Sequence, residues 1–140
     1  MKTKKTTLAK IFVLRLECGE ELVSALKTFC EKNKIKGGVI SGIGAVSYAK
    51  LYSVSDSERF VKIEKEFSGP MELISALGNI SLVDGKPLIH LHVTLGRSDK
   101  STIAGHLLEA KISFTGEFFI LQTTDALEKT KQGELMLFKF

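Results

Sequence analysis

All three histidines of this 140-residue chain lie between residues 90 and 106. His90 and His92 are separated by one residue in the apolar segment LIHLHVTL, and His106 follows a polar stretch. Side chains alternate across a β-strand, so positions i and i+2 point to the same face with their Cα atoms about 6.5–7 Å apart. Two imidazoles placed in this way can converge on one metal ion, and a loop that folds back would bring His106 to the same place.

Three neutral imidazoles with an open fourth position suit Zn²⁺, or another divalent first-row ion, in a catalytic or ligand-binding site. Water bound to such an ion can titrate near neutrality. H-x-H is a short motif, and the alternative is that His90 and His92 pack at a sheet face or a subunit interface while His106 is unrelated to them. We therefore predict a divalent metal site at His90, His92 and His106, with zinc as the favoured ion.

Two further polar residues are candidates for ligand binding or catalysis. Arg15 lies within an apolar strand, where it either anchors an anionic ligand, pairs with a buried carboxylate, or faces solvent at the edge of the sheet. Glu117 lies between Gly116 and an apolar run, and it is a candidate fourth ligand, general base or acid behind the metal ligands. The alternative for Glu117 is a solvated turn residue. The predicted roles are anion binding for Arg15 and proton transfer for Glu117.

The elements that must position these residues are mostly strands. Apolar residues spaced by three and four predict one helix over residues 20–34, with Glu20 and Glu21 in its first turn. The apolar segment 38–54 is typical of a strand that is buried on both faces. Alternating or apolar patterns predict the remaining strands at residues 9–17, 60–67, 71–83, 88–95, 110–115, 118–123 and 134–140, the last closing the sheet.

One helix and many strands indicate a single α+β domain, in which the one main helix packs on a mostly antiparallel or mixed β-sheet sandwich. A chain of this length fits one domain. Asp84-Gly85 predicts a tight hairpin turn between two of the strands. Residues 1–7 are expected to form a basic, flexible tail, and residues 8–140 the domain.

The net charge of +4 is located at the N-terminus. Residues 1–10 contain four lysines and no acid, while the other 16 basic residues of the chain face 16 acidic ones. Affinity for DNA comes largely from clustered Lys and Arg that neutralise phosphates, so the body of the domain lacks the charge that DNA binding requires.

The expected location is the cytoplasm. No apolar run reaches the length of a membrane-spanning helix, and no cleavable secretory signal is apparent. Cys18 and Cys30 do not form a disulfide framework and are expected to be free thiols. We therefore expect no membrane partner.

Several motifs taken in order resemble the plants-and-prokaryotes-conserved (PPC) family. The segments that carry the resemblance extend over roughly residues 8–123, and they are RLECGEEL, GGVISGIGAVSYAKLY, GPMELISALGNIS, HLHVTL, AGHL and TGEFF. Agreement among several motifs in the expected order is more specific than any one of them.

The resemblance implies a sandwich-like fold, assembly as a homotrimer, and a DNA-binding or regulatory role. It also implies that His90, His92 and His106 form a metal site, and it matches Arg15 and Glu117 to an arginine and a glutamate of the family. Plant members carry AT-hooks that grip the minor groove, whereas this chain has no R-G-R-P hook.

Two functional interpretations follow. The first is a trimeric regulatory or DNA-associated module with a structural metal, whose DNA binding is weak. The second is a small metal-dependent enzyme of the hydrolase or lyase type, or a small-ligand-binding protein. An open pocket at the metal position would favour the second.

Overall fold

The computed structural model describes residues 1–56 and 60–140. Within these ranges the chain forms, in order, β1 (Leu8–Glu17), α1 (Leu22–Lys32), β2 (Gly38–Asp56), β3 (Val61–Val83), β4 (Lys86–Gly96), β5 (Thr102–Thr123), β6 (Lys129–Gln132) and β7 (Leu135–Phe138). The single domain is dominated by antiparallel strands, as predicted. Among these described residues no helix has the length and apolar character needed to cross a membrane.

The first five strands form one sheet in the order β1-β5-β2-β3-β4, and β5 pairs with β4 as well. All pairings between these strands are antiparallel. Because β4 pairs with both β3 and β5, and β5 also pairs with β2, the four strands β2 to β5 close into a ring. The expected sandwich of two facing sheets is therefore not confirmed, and the long strands instead bend around one core.

Two strands are longer than the sequence pattern predicted. Segments 60–67 and 71–83 belong to one strand, β3, and the expected break between them is a register shift beside Gly69, which has a φ of 106°. Segments 110–115 and 118–123 likewise belong to β5, which begins at Thr102. Gly69 and Gly116 lie between the predicted segments, and the register shifts beside them are bulges at which a continuous strand bends.

Helix α1 is shorter than the predicted 20–34, because Glu21 caps the helix instead of lying in its first turn. The Glu21 carboxylate accepts hydrogen bonds from the backbone N–H groups of Val23 at 3.0 Å and Ser24 at 2.7 Å. It also accepts one from the N–H of Ala110 in β5, at 3.1 Å. The cap therefore joins the helix to the sheet. The helix packs on β4 and β5 through its buried residues Leu22, Leu26 and Cys30.

The core lies inside the ring of strands, and one face of the sheet remains uncovered. Strand β2 was predicted to be buried on both faces, but Val39 is 47% exposed and Ile43 is 56% exposed. Neighbouring strands add further exposed apolar side chains, and two of them, Leu77 and Phe119, pair with Ser41, which lies between Val39 and Ile43 in β2. We call this surface the outer face, and it comprises Ile11, Val13, Val39, Ile43, Leu77 and Phe119.

The C-terminal segment differs from its prediction. Residues 134–140 were expected to close the main sheet, but β7 pairs with β6 in a separate two-stranded sheet, the C-terminal hairpin. The N–H of Leu82 at the end of β3 donates to the carbonyl of Leu127 at 2.7 Å, which ties this hairpin to the domain.

The N-terminal residues 1–7 form neither helix nor strand, although Lys4 Nζ donates to the carbonyl of Ala126 at 3.0 Å. Both cysteines are free, as predicted: Cys18 is exposed and Cys30 is buried.

Candidate metal centre

The three histidines come together on the neighbouring strands β4 and β5. His92 is the cross-strand partner of His106, and His90 lies two residues earlier in β4. The ring centroids are 4.7 Å apart for His90 and His106, 5.2 Å for His92 and His106, and 5.3 Å for His90 and His92. One nitrogen from each ring lies within 4.8 Å of the other two. The predicted convergence of the three imidazoles is confirmed, and residues 97–101 make the turn that produces it.

Two of the imidazoles are uncharged at neutral pH. Burial lowers the pKa of His90 to about 4, with smaller contributions from the positive charge of Lys129 and from His92. Burial also lowers the pKa of His106 to about 4, with contributions from the other two histidines, Lys62 and Lys129. A neutral imidazole has a lone pair available for a metal ion, so at pH 7 no proton has to leave these rings before they bind one.

Lys129 of β6 reaches the histidines from the C-terminal hairpin. Its Nζ lies 2.9 Å from Oδ1 of Asn79 and 3.3 Å from Nδ1 of His90. The residue is only 6% exposed, and burial lowers the pKa of its ammonium group. Asn79 is the cross-strand partner of His90, and its side chain contacts Lys129, which in turn contacts the imidazole. Lys129 was not predicted from the sequence, because it lies 39 residues from His90 in a segment without a motif.

An aromatic ring supports the third histidine. Tyr52 of β2 is the cross-strand partner of His106, and the two ring centroids are 4.2 Å apart at an interplanar angle of 33°. Lys62 Nζ lies 4.8 Å from the centroid of the Tyr52 ring, which places a second cation near the cluster. The contact restricts the orientation of the His106 imidazole, as partners behind metal ligands commonly do.

The histidine cluster opens on a cavity of about 480 Å³. Small-molecule sites in proteins typically have volumes of about 300–1,000 Å³. Polar groups occur in the wall at the histidines, Tyr52, Lys62 and Lys129. Much of the remaining wall is apolar and comes from β4, β5 and the C-terminal hairpin, through Leu88, Ile89, Leu108, Leu135 and Met136. The cluster therefore faces a space that could hold a small molecule.

Arg15 and Glu117 lie elsewhere in the same chain. They are cross-strand partners of each other in β1 and β5. The guanidinium of Arg15 is 2.6 Å from the carboxylate of Glu17, and these two side chains are 70% and 69% exposed. Glu117 lines a separate groove with Ile43 and Phe114. Within one chain, the structure therefore brings the two residues to each other and not to the histidine cavity.

The fold and the site together define a small, ring-closed antiparallel β domain that carries three histidines at the wall of a cavity. The family model described as the Plants and Prokaryotes Conserved (PCC) domain matches residues 3–124 of the chain. The chain belongs to this family, as its motifs predicted. The match ends before Lys129, so the C-terminal hairpin lies outside it.

Solved structures of similar chains agree with this assignment. A metal-containing protein of Archaeoglobus fulgidus is 36% identical, with 100% of both chains covered and a TM-score of 0.92. A plant- and prokaryote-conserved protein of Pyrococcus horikoshii is 32% identical, with 100% of this chain and 98% of that chain covered and a TM-score of 0.91. A candidate DNA-binding protein of Bacteroides thetaiotaomicron is 31% identical, with 96% and 97% covered and a TM-score of 0.89. No protein with a curated function matches the chain.

Proposed function

We propose that this protein binds a divalent metal ion, with zinc favoured, at His90, His92 and His106, and that the metal centre receives a small ligand. The observation that carries the proposal is that the three imidazoles meet at the wall of an open cavity and not inside the packed core. The similar protein of Archaeoglobus fulgidus is described as metal-containing, which supports a metal at this position.

The residues present fit a zinc ion. Zinc accepts imidazole nitrogens, and in sites that do chemistry it commonly takes three protein ligands and leaves one position open. When bound, the ion would act as a Lewis acid and lower the pKa of water, which is the chemistry of metal-dependent hydrolases and lyases. Tyr52 would orient His106.

Elemental analysis of the untagged protein tests the metal site. We expect close to one equivalent of metal per chain, and loss of that metal in His92→Ala. Thr94→Ala is the matched control, since Thr94 is the next residue on the same side of β4 and is also partly exposed. An absence of metal after gentle purification and after incubation with Zn²⁺ would contradict the proposal, as would metal retained at full stoichiometry by His92→Ala.

We further propose that the protein assembles as a homotrimer. The outer face supports this assembly, because contiguous exposed apolar side chains commonly mark contact surfaces between subunits. The predicted roles of Arg15 and Glu117, an anion clamp and a proton carrier, require such an assembly. These two residues lie away from the cavity of their own chain, so only a neighbouring copy could bring them to it.

DNA binding is a second candidate function, and the lysines of the N-terminus favour it. Residues 1–10 hold four lysines and no acid, and a trimer would present that segment three times. The similar protein of Bacteroides thetaiotaomicron is described as a candidate DNA-binding protein. Binding of this kind would be weak, independent of base sequence, and strongly dependent on salt.

A further inference from the structure

The charge of the cavity wall indicates what kind of ligand it receives. Among the described residues that line the cavity, Lys62 and Lys129 are basic and Glu134 is acidic. A divalent ion added to this wall would create a local excess of positive charge, and a low-dielectric pocket amplifies its attraction for anions.

Lys129 is a buried lysine beside the histidine cluster. An ammonium group that is buried away from water needs partners for its three N–H donors, and it is normally paired with an anion. The Nζ contacts found for Lys129 in the described part of the chain are the Asn79 amide oxygen, the His90 ring nitrogen and the face of the Phe138 ring, whose centroid is 4.7 Å away, and none of these groups carries a negative charge. Lys129 therefore has the surroundings of a cation whose counter-ion is supplied from outside the chain.

The remaining walls indicate the rest of the ligand. Leu88, Ile89 and Leu108 come from the sheet, and Leu135 and Met136 come from the C-terminal hairpin. Burying a methylene group against such side chains contributes about 0.8 kcal/mol. The lining is thus charged at the histidines and apolar beyond them, which favours a ligand with a single anionic end and an apolar remainder over a small, fully polar anion.

We propose that the ligand is a small carboxylate with an apolar tail, whose carboxylate is held jointly by the metal ion and the Lys129 ammonium. The inference rests on the proposed metal site. It assigns Lys129, which lies outside the family match at residues 3–124, as a ligand-binding residue. The Lys129 ammonium lies beside the histidines that would hold the metal ion, so these two cations repel each other. A carboxylate bound to both would reduce that repulsion. Metal and carboxylate should therefore strengthen each other's binding reciprocally.

Calorimetric titration of zinc-loaded protein with hexanoate, hexanamide, acetate and inorganic phosphate tests the inference. We expect hexanoate to bind about ten- to a hundredfold more tightly than its neutral isostere hexanamide, which is the usual gain from a hydrogen bond to a charged group. Hexanoate should also exceed acetate by about tenfold or more, because of its four additional methylene groups. Equal affinities for hexanoate and hexanamide, or tighter binding of phosphate than of hexanoate, would overturn the carboxylate assignment.

Lys129→Met separates a ligand-binding role from a merely structural one. This variant removes the charge while keeping an unbranched side chain, so it should bind Zn²⁺ at least as tightly as the parent but bind hexanoate about tenfold or more weakly. A structural role predicts that metal and hexanoate affinities fall together, and that result would contradict the inference. Lys139→Met is the matched control, since Lys139 is an exposed lysine beside the same hairpin.

Two further results keep the two proposals distinct. If Lys129→Met does not fold, Lys62→Met should lower hexanoate affinity in the same direction while keeping metal, and unchanged affinity would overturn the inference. If the parent binds zinc but not hexanoate, the proposed carboxylate ligand is wrong and the proposed metal site stands. If the parent binds no metal, the metal site and the carboxylate ligand are both wrong.

Discussion

His92 and His106 are direct cross-strand partners in the antiparallel pairing of β4 with β5. Side chains of paired residues project to the same face of a sheet, so this register brings the two imidazoles together. A slip of one residue would turn one of them to the opposite face. The candidate metal centre therefore depends on the backbone alignment of two strands as much as on the identity of its histidines.

Substitution of Gly78 should disturb this alignment. A Cβ atom at position 78 of β3 would lie 1.8 Å from the backbone oxygen of His90, so Gly78→Ala must displace β4. We expect a loss of about 1–3 kcal/mol in the free energy of unfolding, as is typical of overpacking. Zinc affinity should fall by about ten- to a hundredfold, as it does when the surroundings of a metal ligand are altered. Denaturant unfolding and zinc titration would measure the two effects.

Gly96→Ala is the control for this prediction, because Gly96 lies at the end of β4, the strand that Gly78→Ala would displace. Its added methyl group would meet the flexible end of Ile74, at 2.9 Å, and that side chain is largely exposed. Near-parental zinc affinity is expected for this variant. Full zinc affinity in Gly78→Ala as well would show that the position of β4 does not control the site.

The stability of the metal-free protein should depend on pH through His90 and His106. Their pKa values in the folded chain are lowered to about 4, against 6.5 for an unperturbed histidine. Between these values the unfolded chain binds more protons than the folded chain, so protons favour unfolding. The melting temperature should accordingly fall as the pH drops from about 6.5 towards 4. Above pH 7, His90 and His106 should contribute little to the pH dependence of stability.

Thermal unfolding after treatment with a chelator checks this dependence. His106→Gln replaces a titrating ring with a group that does not titrate, so its melting temperature should fall less steeply over the same interval. Parallel curves for the parent and His106→Gln would exclude His106 as a source of the pH dependence.

A charge on the outer face should prevent assembly. Phe119 is 49% exposed, and its cross-strand partner Val13 is 71% exposed. Phe119→Glu would place a carboxylate among apolar groups that we expect to be buried between subunits, and an unpaired buried charge is strongly unfavourable. Light scattering should give about three times the chain mass of 15.4 kDa for the parent and the mass of one chain for the variant.

Ile63→Glu serves as the control for assembly, since Ile63 is comparably exposed but lies outside the outer face, near the start of β3. It should leave the mass unchanged. A parent of single-chain mass at micromolar concentration would contradict the homotrimer, and an unaltered trimer in Phe119→Glu would place the interface elsewhere.

Removal of residues 1–7 should abolish any DNA binding. The truncation deletes Lys2, Lys4 and Lys5, and the rest of the chain has nearly balanced charge. Retention of a duplex of arbitrary sequence should be lost in the truncated protein, and in the parent it should weaken steeply between about 50 and 200 mM salt. A truncated protein that retains DNA as well as the parent would show that the lysines of this segment are not responsible.

Sequence patterns predicted the local features of this fold well. The i and i+2 spacing of His90 and His92 placed both rings on one side of a strand, and a short polar turn returned His106 to them. The Asp84-Gly85 hairpin was also predicted correctly: both residues have positive φ angles, of 50° and 76°, as a tight hairpin turn requires.

Features that depend on distant contacts were not predictable in the same way. The sequence pattern predicted separate strands at residues 60–67 and 71–83, because a local pattern does not distinguish a break near Gly69 from a bulge that a neighbouring strand stabilises. Lys129 was not predicted as a site residue, since its burial results from the docking of the C-terminal hairpin against β3. The separation of Glu117 from the histidines follows from the length of β5, which the sequence had divided into two strands.

The three histidines all belong to one β-hairpin, and this has a consequence for how the proposed metal ion would be acquired. The turn at residues 97–101 is short, so little chain entropy is lost when β4 and β5 meet. A partly folded chain can therefore form the three-histidine group before the rest of the domain closes around it, and it can capture an ion at that stage. Metal binding to incompletely folded chains reduces the stabilisation that the ion gives to the folded state. Tyr52 and Lys129 join the site only through distant pairings, so a newly captured ion would exchange readily until these two residues arrive.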